Sequence, residues 1–445
     1  MLRKKHILIS FIGAYTVYDY LRSGILDELY KEFDLSFVIT YKTEGEAELK
    51  SYGEVVKLPI DNYWRTRIYG IGKSVWHYYK KRSFVLTDKQ RRYRSLISLG
   101  RLDTFVVKSV INLKLSKLVG VLIRQLLRIT TPNVLPAKES VDLVMMVWGL
   151  ESLINDDTIR CGRDNNIPVF AVQGGLDSIS TKTCYEPPPY AAVWGESCFY
   201  SCVYAHGFKP TSVFVVGSPR FESHQKKYNK EQVRGELGLP LEKKIVFFCG
   251  TGLPFDEAHV MKTLQKAYDD GCINNDVIIM YRHHPYGRTN FASWEETKNI
   301  PFETDFLTVA PSGKASNGSE FYSKLFSASD AVITPYSTMT MEATAYGLPV
   351  MCVGYNDDAR EYLYDWSSSI YEPHLSLIHH SDWGVVCDDK SLIVEKFNLL
   401  VEKIGDEEVY NDAKTSHKFI NRLGKESVSD RIKSAINNLV NVSDS

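Results

Sequence analysis

Short apolar runs alternate with longer amphipathic stretches through most of the chain. In the first half, runs of four to seven residues with the composition of buried strands occupy 7–11, 35–40, 55–58, 141–147, 168–172, 191–194 and 212–216. Strand-length runs separated by helix-length stretches are typical of a parallel sheet whose connecting helices cover both faces. The pattern therefore predicts a doubly wound α/β domain over residues 1–220.

A second series of predicted strands begins after a charged helical stretch that ends near Pro240. Strands are expected at 245–249, 277–282, 304–309, 331–335 and 349–353, with helices at 256–269, 319–328 and 338–346. The length of 445 residues also exceeds the size at which one hydrophobic core stops growing. We therefore expect a second doubly wound domain over 240–425, and a terminal helix within 426–445 that crosses back to the first domain.

The composition is that of an ordinary globular protein, with 44% hydrophobic and 24% charged residues. The sequence contains no run of about 20 apolar residues and no signal-peptide core, which predicts a cytoplasmic location. Its eight cysteines show no C-x-x-C spacing, so reduced, structural thiols are expected.

Positive charge is concentrated in residues 61–130, where sixteen Lys and Arg residues stand against three Asp. The aromatic residues interleaved with them are Tyr63, Trp64, Tyr69, Trp76, Tyr78, Tyr79 and Tyr93. This mixture is expected at an anionic membrane surface or facing an acidic polymer, although solvated helix faces also produce it. Because no nucleic-acid motif accompanies the charge, a nucleic-acid partner is not expected. We interpret the segment as a basic helical insertion in the first domain.

Candidate chemistry lies where two strands of the second domain end. Arg282-His-His284 completes one strand, and Ser337-Thr338 follows another. Carboxyl ends of parallel strands are where open α/β sheets bind ligands, so both segments are expected at one site. His284 could donate a hydrogen bond to phosphate and stabilise charge on a leaving group, or it could simply cap its strand. Arg282 is a candidate contact to phosphate or base.

The second segment combines hydroxyls with the start of a predicted helix. Ser337 and Thr338 could bind an anion together with the free N–H groups of that helix, or could serve only as caps. Glu342, one turn into the helix, would then face ribose hydroxyls rather than phosphate, or form a plain salt bridge.

A small glycine-containing loop follows the first strand of the second domain. Gly250-Thr251-Gly252 would let the backbone approach a bound diphosphate or sugar. The loop is not the six-residue dinucleotide fingerprint, and the sequence has no Walker lysine loop. NAD and ATP chemistry are therefore not expected.

The sequence gives little support for a metal ion. No Asp-x-Asp triplet occurs in the sequence. Because such a triplet commonly binds a metal ion together with a diphosphate, we expect a metal-independent reaction without a cofactor. His374, His379 and His380 have a spacing that could bind zinc, but they lack cysteine or carboxylate partners at motif spacing.

These motifs together resemble those of GT-B glycosyltransferases from the bacterial surface-polysaccharide group, which includes Kdo transferases, polysialyltransferases and CDP-glycerol glycerophosphotransferases. The segments that carry the resemblance are Arg282-His-His284-Pro285, Ser337-Thr338 with Glu342-Ala343 and Gly347-Leu-Pro349, Gln173-Gly-Gly175, Val193-Trp-Gly195 and Val216-Gly-Ser-Pro-Arg220-Phe221. The likeness covers residues 140–355. One departure is Gly174, where relatives commonly have histidine.

The resemblance implies two Rossmann-like domains that face each other across a cleft. It implies a nucleotide-sugar donor, with a CMP-linked sugar favoured, and a glycan or lipid-linked glycan as acceptor. The HP motif at His284 and the serine motif at Ser337 would hold the donor phosphates. Such an enzyme would work as a peripheral protein at the inner face of the plasma membrane.

The catalytic base is the least determined part of the predicted site. It is expected from the first domain, where Asp19, Glu151 and Asp177 follow strands or lie near their ends, in that order of preference. Each of them could equally cap a helix. Two other functions also fit the fold: a nonhydrolysing UDP-sugar 2-epimerase, and a noncatalytic scaffold of a polysaccharide-assembly complex.

Overall fold

The computed structural model divides the chain into two compact units. Unit 1 comprises Met1–Glu222 and Ile420–Ser445, and unit 2 comprises Ser223–Phe419. The described residues are 3–11, 13–40, 43–58, 63–80, 99–132, 134, 140–148, 152–176, 179, 186–224, 228–251, 255–284, 304–310, 318–335, 337–355 and 375–442.

Unit 1 is built on a seven-stranded parallel sheet with the order β3-β2-β1-β4-β5-β6-β7. Its strands are β1 (His6–Ser10), β2 (Asp34–Thr40), β3 (Gly53–Leu58), β4 (Leu143–Trp148), β5 (Val169–Gln173), β6 (Tyr190–Val193) and β7 (Val213–Val215). The order reverses between β1 and β4, and such a switch point opens a crevice at the carboxyl ends of the strands.

Helices cover this sheet and extend from it. They are α1 (Ala14–Arg22), α2 (Ile25–Glu32), α3 (Glu46–Leu49), α4 (Tyr63–Lys80), α5 (Arg101–Asn112), α6 (Ser116–Ile129), α7 (Leu153–Asp164), α8 (Glu196–Tyr200) and α9 (Pro219–Ser223). A π-helical turn spans Ser201–His206, and a 3-10 turn spans Pro210–Ser212. Among the residues described, no helix has both the length and the apolar character needed to cross a bilayer.

The last helix of the chain completes the core of unit 1. Helix α16 spans Val428–Val442, and its buried side chains include Val428, Ile432, Ile436 and Leu439, at the spacing of one helical face. They belong to the same apolar cluster as β1, β2 and α2. Burial of this stripe in the core of unit 1 stabilises α16 in this position.

Buried ion pairs join the basic segment to the rest of unit 1. Arg65 of α4 donates to both carboxylate oxygens of Asp157 in α7, at 2.7 and 2.8 Å. Arg160 Nη1 lies 3.0 Å from Asp157 Oδ1, and Arg124 of α6 donates to both oxygens of Glu186 at 2.8 Å. Part of the positive charge that the sequence suggested for an outer surface is therefore neutralised inside unit 1.

Unit 2 contains a six-stranded parallel sheet with the order β10-β9-β8-β11-β12-β13. Its strands are β8 (Lys244–Cys249), β9 (Val277–Arg282), β10 (Leu307–Val309), β11 (Ala331–Pro335), β12 (Val350–Val353) and β13 (Gly384–Cys387). Its helices are α10 (Lys230–Leu237), α11 (Glu257–Asp269), α12 (Gly318–Ala328), α13 (Met339–Thr344), α14 (Ile393–Glu402) and α15 (Glu407–Ile420). Short 3-10 turns span Ser376–His380 and Lys390–Leu392.

Three elements of unit 2 differ from the sequence expectation. The strand expected at 304–309 is limited to β10, because Thr304 folds into a turn in which its hydroxyl accepts from Leu307 N. The helix expected at 338–346 ends at Thr344, before the left-handed Gly347. Edge strand β13 was not predicted.

The buried charge network gives a stability prediction. Asp157→Ala leaves Arg65 with a buried, uncompensated charge, so we expect a loss of about 3–5 kcal/mol and a lower urea midpoint. Lys31→Ala, which breaks the exposed pair with Glu28, is the control and should leave the midpoint almost unchanged. Equal midpoints for the two variants would contradict the structural role of Asp157.

Candidate active site

The sheet of unit 2 brings three of the predicted segments to one edge. Strand β8 pairs with β9 on one side and with β11 on the other, with Cys249 opposite Arg282 and Phe248 opposite Ile333. The segments that follow these strands therefore lie side by side. Since neighbouring strands are about 4.8 Å apart, the ends of β9 and β11 are separated by about 10 Å. A nucleotide diphosphate is long enough to contact both.

Arg282 ends β9 and is buried, with 7% of its surface exposed. Its guanidinium lies 4.2 Å from the ring centroid of Tyr322 and donates to the Tyr322 hydroxyl. Burial lowers the pKa of Arg282 to about 10, and the negative partners near it, which include Glu342, act in the opposite direction. Among the described residues its Nε has no hydrogen-bond partner. A buried cation with an unused donor is suited to receive an anion.

The two histidines after β9 are half-buried at the strand's carboxyl end. Burial, and secondarily the charge of Arg282, lowers the pKa of His283 below its ordinary value. This shift favours the neutral form of the His283 imidazole. His284 follows directly at the end of the strand, which is the position expected for a phosphate contact.

The serine motif forms a compact turn in which most backbone donors are already used. Ser337 Oγ lies 2.9 Å from Thr334 Oγ1 and accepts from Met339 N at 3.3 Å. The N–H groups of Thr340, Met341 and Glu342 bond to carbonyls of Ser337 and Thr338. An anion here would therefore meet the hydroxyls of Ser337 and Thr338 rather than free N–H groups of α13, which is only six residues long.

Glu342 is fixed inside unit 2 by a histidine that the sequence did not single out. Glu342 Oε2 lies 3.2 Å from Nε2 of His224, and both side chains are buried. His224 Nδ1 is in turn 2.9 Å from the Tyr346 hydroxyl and 3.0 Å from the Ser323 hydroxyl. No spacing pattern marks His224, because it meets Glu342 only through the tertiary fold.

A second residue missed by sequence reasoning lies under the glycine loop. Glu257, the first residue of α11, accepts hydrogen bonds from Thr251 N and the Tyr281 hydroxyl, both at 2.6 Å. A Cβ at Gly250 would lie 2.7 Å from Glu257 Oε2, so Gly250 is required by packing. Burial raises the pKa of Glu257 to about 7, and Asp256 adds to this effect while the two hydrogen bonds oppose it. Gly252 lies outside the described residues.

Unit 1 has a separate recess at the carboxyl ends of its central strands. The lining of the recess includes Asp19, Tyr20, Ser218 and Arg220. Asp19 Oδ2 and Arg220 Nη2 are 3.4 Å apart. The hydroxyls of Tyr20 and Ser218 are buried and have no hydrogen-bond partner among the described residues. Of the three candidate bases, Asp19 lines this recess, whereas Glu151 and Asp177 lie outside the described residues.

Gly174 also lines the recess, at the position where the resembling proteins commonly have histidine. A Cβ at this position would lie 3.0 Å from Val147 Cγ1 and 3.4 Å from the Trp148 carbonyl oxygen. A larger side chain would therefore require its neighbours to shift, which gives a packing reason for the glycine.

The described part of the chain contains no group of three or more His, Cys, Asp or Glu side chains that could hold a metal ion. His379 and His380 lie in the 3-10 turn Ser376–His380, with ring centroids 6.4 Å apart. His374 lies outside the described residues.

Comparison with known proteins agrees with the motif resemblance. Residues 196–373 match the family model described as CDP-Glycerol:Poly(glycerophosphate) glycerophosphotransferase, one of the groups that the motifs resemble. No curated protein matches the chain.

Solved structures share the fold over nearly the whole chain. Calicheamicin glycosyltransferase CalG4 gives a TM-score of 0.55 at 13% identity, covering 99% of each chain. UDP-GlcNAc 2-epimerase from Methanocaldococcus jannaschii gives 0.53 at 13% identity, covering 97% of this chain and 99% of its own. Wall teichoic acid polymerase TagF gives 0.50 at 12% identity, covering 99% and 90%. The predicted GT-B fold of two Rossmann-like units is confirmed.

The buried carboxyl of Glu257 predicts a pH dependence of stability. The unfolded chain loses this proton near pH 4.5, whereas the folded carboxyl keeps it until about pH 7. Because the folded state binds more protons in this window, its stability falls as pH rises from 4.5 to 7 and then levels off. The total fall is about 3 kcal/mol.

Glu257→Gln should remove this part of the pH dependence, since the amide carries no charge. At about pH 8 the variant is expected to unfold several degrees above the parent protein. Near pH 4.5 the two proteins are expected to unfold at the same temperature. Glu236→Gln, at an exposed glutamate paired with Lys324, is the control. Parallel melting curves for the Glu257 variant and the parent across this range would contradict the assignment.

Proposed function

We propose that this protein is a GT-B transferase that moves a glycosyl or glycerophosphate group from a cytidine-nucleotide donor to a hydroxyl of a surface glycan or its lipid-linked precursor. The observation that carries the proposal is the position of Arg282 and His284 at the end of β9 and of Ser337 at the end of β11, the two strands that flank β8. The family match over residues 196–373 supports a cytidine donor, because its description names CDP-glycerol.

The donor phosphate is assigned to the ends of β9 and β11. His284 would donate a hydrogen bond to the departing phosphate, and the hydroxyls of Ser337 and Thr338 would donate to its other oxygens. Arg282 would add positive charge from its buried position at the end of β9, where an electrostatic interaction is stronger than in water. Groups fixed before the reaction stabilise developing charge without a reorganisation cost.

The nucleoside is assigned to Glu342 and to the loop after β8. His224 holds one carboxylate oxygen of Glu342, which fixes the direction in which the carboxylate could accept from ribose hydroxyls. Glu257 fixes the backbone of Thr251 in the same way. These two carboxylates would position the site without taking part in bond making.

Asp19 is our choice for the base that takes the proton of the acceptor hydroxyl. It lines a recess in unit 1, and Arg220 orients its carboxylate. The acceptor hydroxyl would reach Asp19 at this recess, whose lining also includes Thr16 and Gln173. We further propose that the reaction needs no metal ion, and that the enzyme acts on the cytoplasmic side of the membrane.

Product analysis tests this function directly. The protein is incubated with CMP-, CDP- and UDP-linked donors and a lipid-linked glycan, and the products are identified by mass spectrometry. We expect transfer from a cytidine donor. Epimerised UDP-sugar formed without acceptor would identify a 2-epimerase instead, and the absence of nucleotide binding in thermal shift would favour a scaffold.

His284→Ala should lower kcat by about 10²–10³, the usual loss when one donor to a developing charge is removed. The exposed His380 provides the control, and His380→Ala should retain the parent rate. Circular dichroism of both variants excludes unfolding as the cause. A parent-like rate for the His284 variant would contradict the proposed role.

A further inference from the structure

Ten of the twenty large apolar side chains that are exposed within the described residues lie between positions 102 and 129. This short segment contains α5 and α6. Soluble proteins rarely expose apolar side chains as a continuous patch, and such patches mark interaction surfaces. The two helices therefore present a face that no described part of unit 1 covers.

The exposed side chains follow helical spacing on both helices. On α5 they include Leu102, Phe105 and Val106, and Phe105 is 70% exposed. On α6 the exposed side chains are Leu118, Val121, Leu122, Leu126 and Ile129. Positions related by three, four, seven and eight residues share one face of a helix. Each helix thus carries a continuous apolar stripe toward solvent.

The opposite faces of the same helices are already occupied. Leu127 is fully buried in a cluster with Tyr69 and Trp76 of α4, and Gly120 lies against the Trp76 ring. Val107 of α5 is also fully buried. Packing on α4 therefore uses one stripe of each helix and leaves the other stripe outside.

Charges around the outward stripes are almost all positive. Residues 99–132 contain six Lys and Arg but one acidic residue, Asp103, which is held by Arg67. The exposed cations are Arg101, Lys108, Lys114, Lys117 and Arg128, the last paired with Asp164. Contact between two copies of this face would bring like charges together, whereas a surface of anionic lipid would complement them.

We infer that α5 and α6 form a docking hairpin, residues 101–129, which lies on an anionic lipid bilayer. The apolar stripes would enter the region of the acyl chains nearest the headgroups, and the lysines would contact lipid phosphates. At 14 residues, α6 is about 21 Å long and too short to cross the hydrocarbon core. The inference extends the proposed function, because a lipid-linked acceptor is presented at such a surface.

The docking hairpin also limits the membrane contact, which the sequence predicts for residues 61–130 as a whole, to α5 and α6. Tyr69 and Trp76, two of the aromatic residues expected at the lipid, are buried against α6. Arg65 is neutralised by Asp157. Within the described part of the basic segment, we therefore assign the lipid contact to α5 and α6.

Vesicle flotation of the full-length protein tests the docking hairpin. We expect binding to vesicles of phosphatidylcholine with phosphatidylglycerol, and much weaker binding to phosphatidylcholine alone. Phe105→Ser combined with Leu122→Ser should weaken binding by at least about tenfold, since two large apolar side chains leave the lipid. Lys108→Gln combined with Lys117→Gln should remove most of the preference for anionic lipid and its salt sensitivity.

Leu241→Ser combined with Leu399→Ser is the matched control, because it removes two exposed leucines of unit 2. Its binding should equal that of the parent. Unchanged vesicle binding of the Phe105/Leu122 variant would overturn the inference. So would a parent protein that is dimeric in solution while this variant is monomeric, because the apolar face would then contact a second copy of the chain. The thermal shift that a nucleotide produces, measured on the same samples, does not depend on vesicle binding. Loss of vesicle binding alone therefore does not contradict the proposed transferase function.

Discussion

The parallel pairing of β8 with β9 and β11 is the constraint on which the proposed site depends. The register places Cys249 opposite Arg282, so the guanidinium, the histidines after it and the loop at Gly250 meet at one edge. A shift of one residue would turn Arg282 to the other face of the sheet and separate it from Glu342 and Tyr322. Two segments about fifty residues apart in sequence thus lie at one edge of the sheet, because only β8 lies between β9 and β11.

The charged groups of unit 2 are held by neighbours before any ligand arrives. Tyr322 stacks on Arg282, His224 contacts Glu342, and the Tyr281 hydroxyl donates to Glu257. Burial of these groups costs stability, as the raised pKa of Glu257 and the lowered pKa of Arg282 indicate. In return, these polar groups are held in fixed positions, which is what the proposed phosphate site requires.

Much of this architecture is predictable because buried parallel strands consist of apolar runs. The structure has β8, β9, β11 and β12 close to the positions that the sequence predicts. Partners brought together by tertiary packing leave no local pattern. His224 reaches Glu342 across 118 positions, and Arg65 reaches Asp157 across 92. In the basic segment, likewise, composition cannot distinguish a cation that faces solvent from one that pairs with a buried carboxylate, as Arg65 does. The site residues themselves remain predictions.

A crystal structure of the protein with cytidine diphosphate would test the phosphate site directly. We expect phosphate oxygens within hydrogen-bond distance of the His284 imidazole and the Ser337 hydroxyl, with the Arg282 guanidinium directed at the same phosphate. A nucleotide bound elsewhere, with these three side chains out of contact, would contradict it.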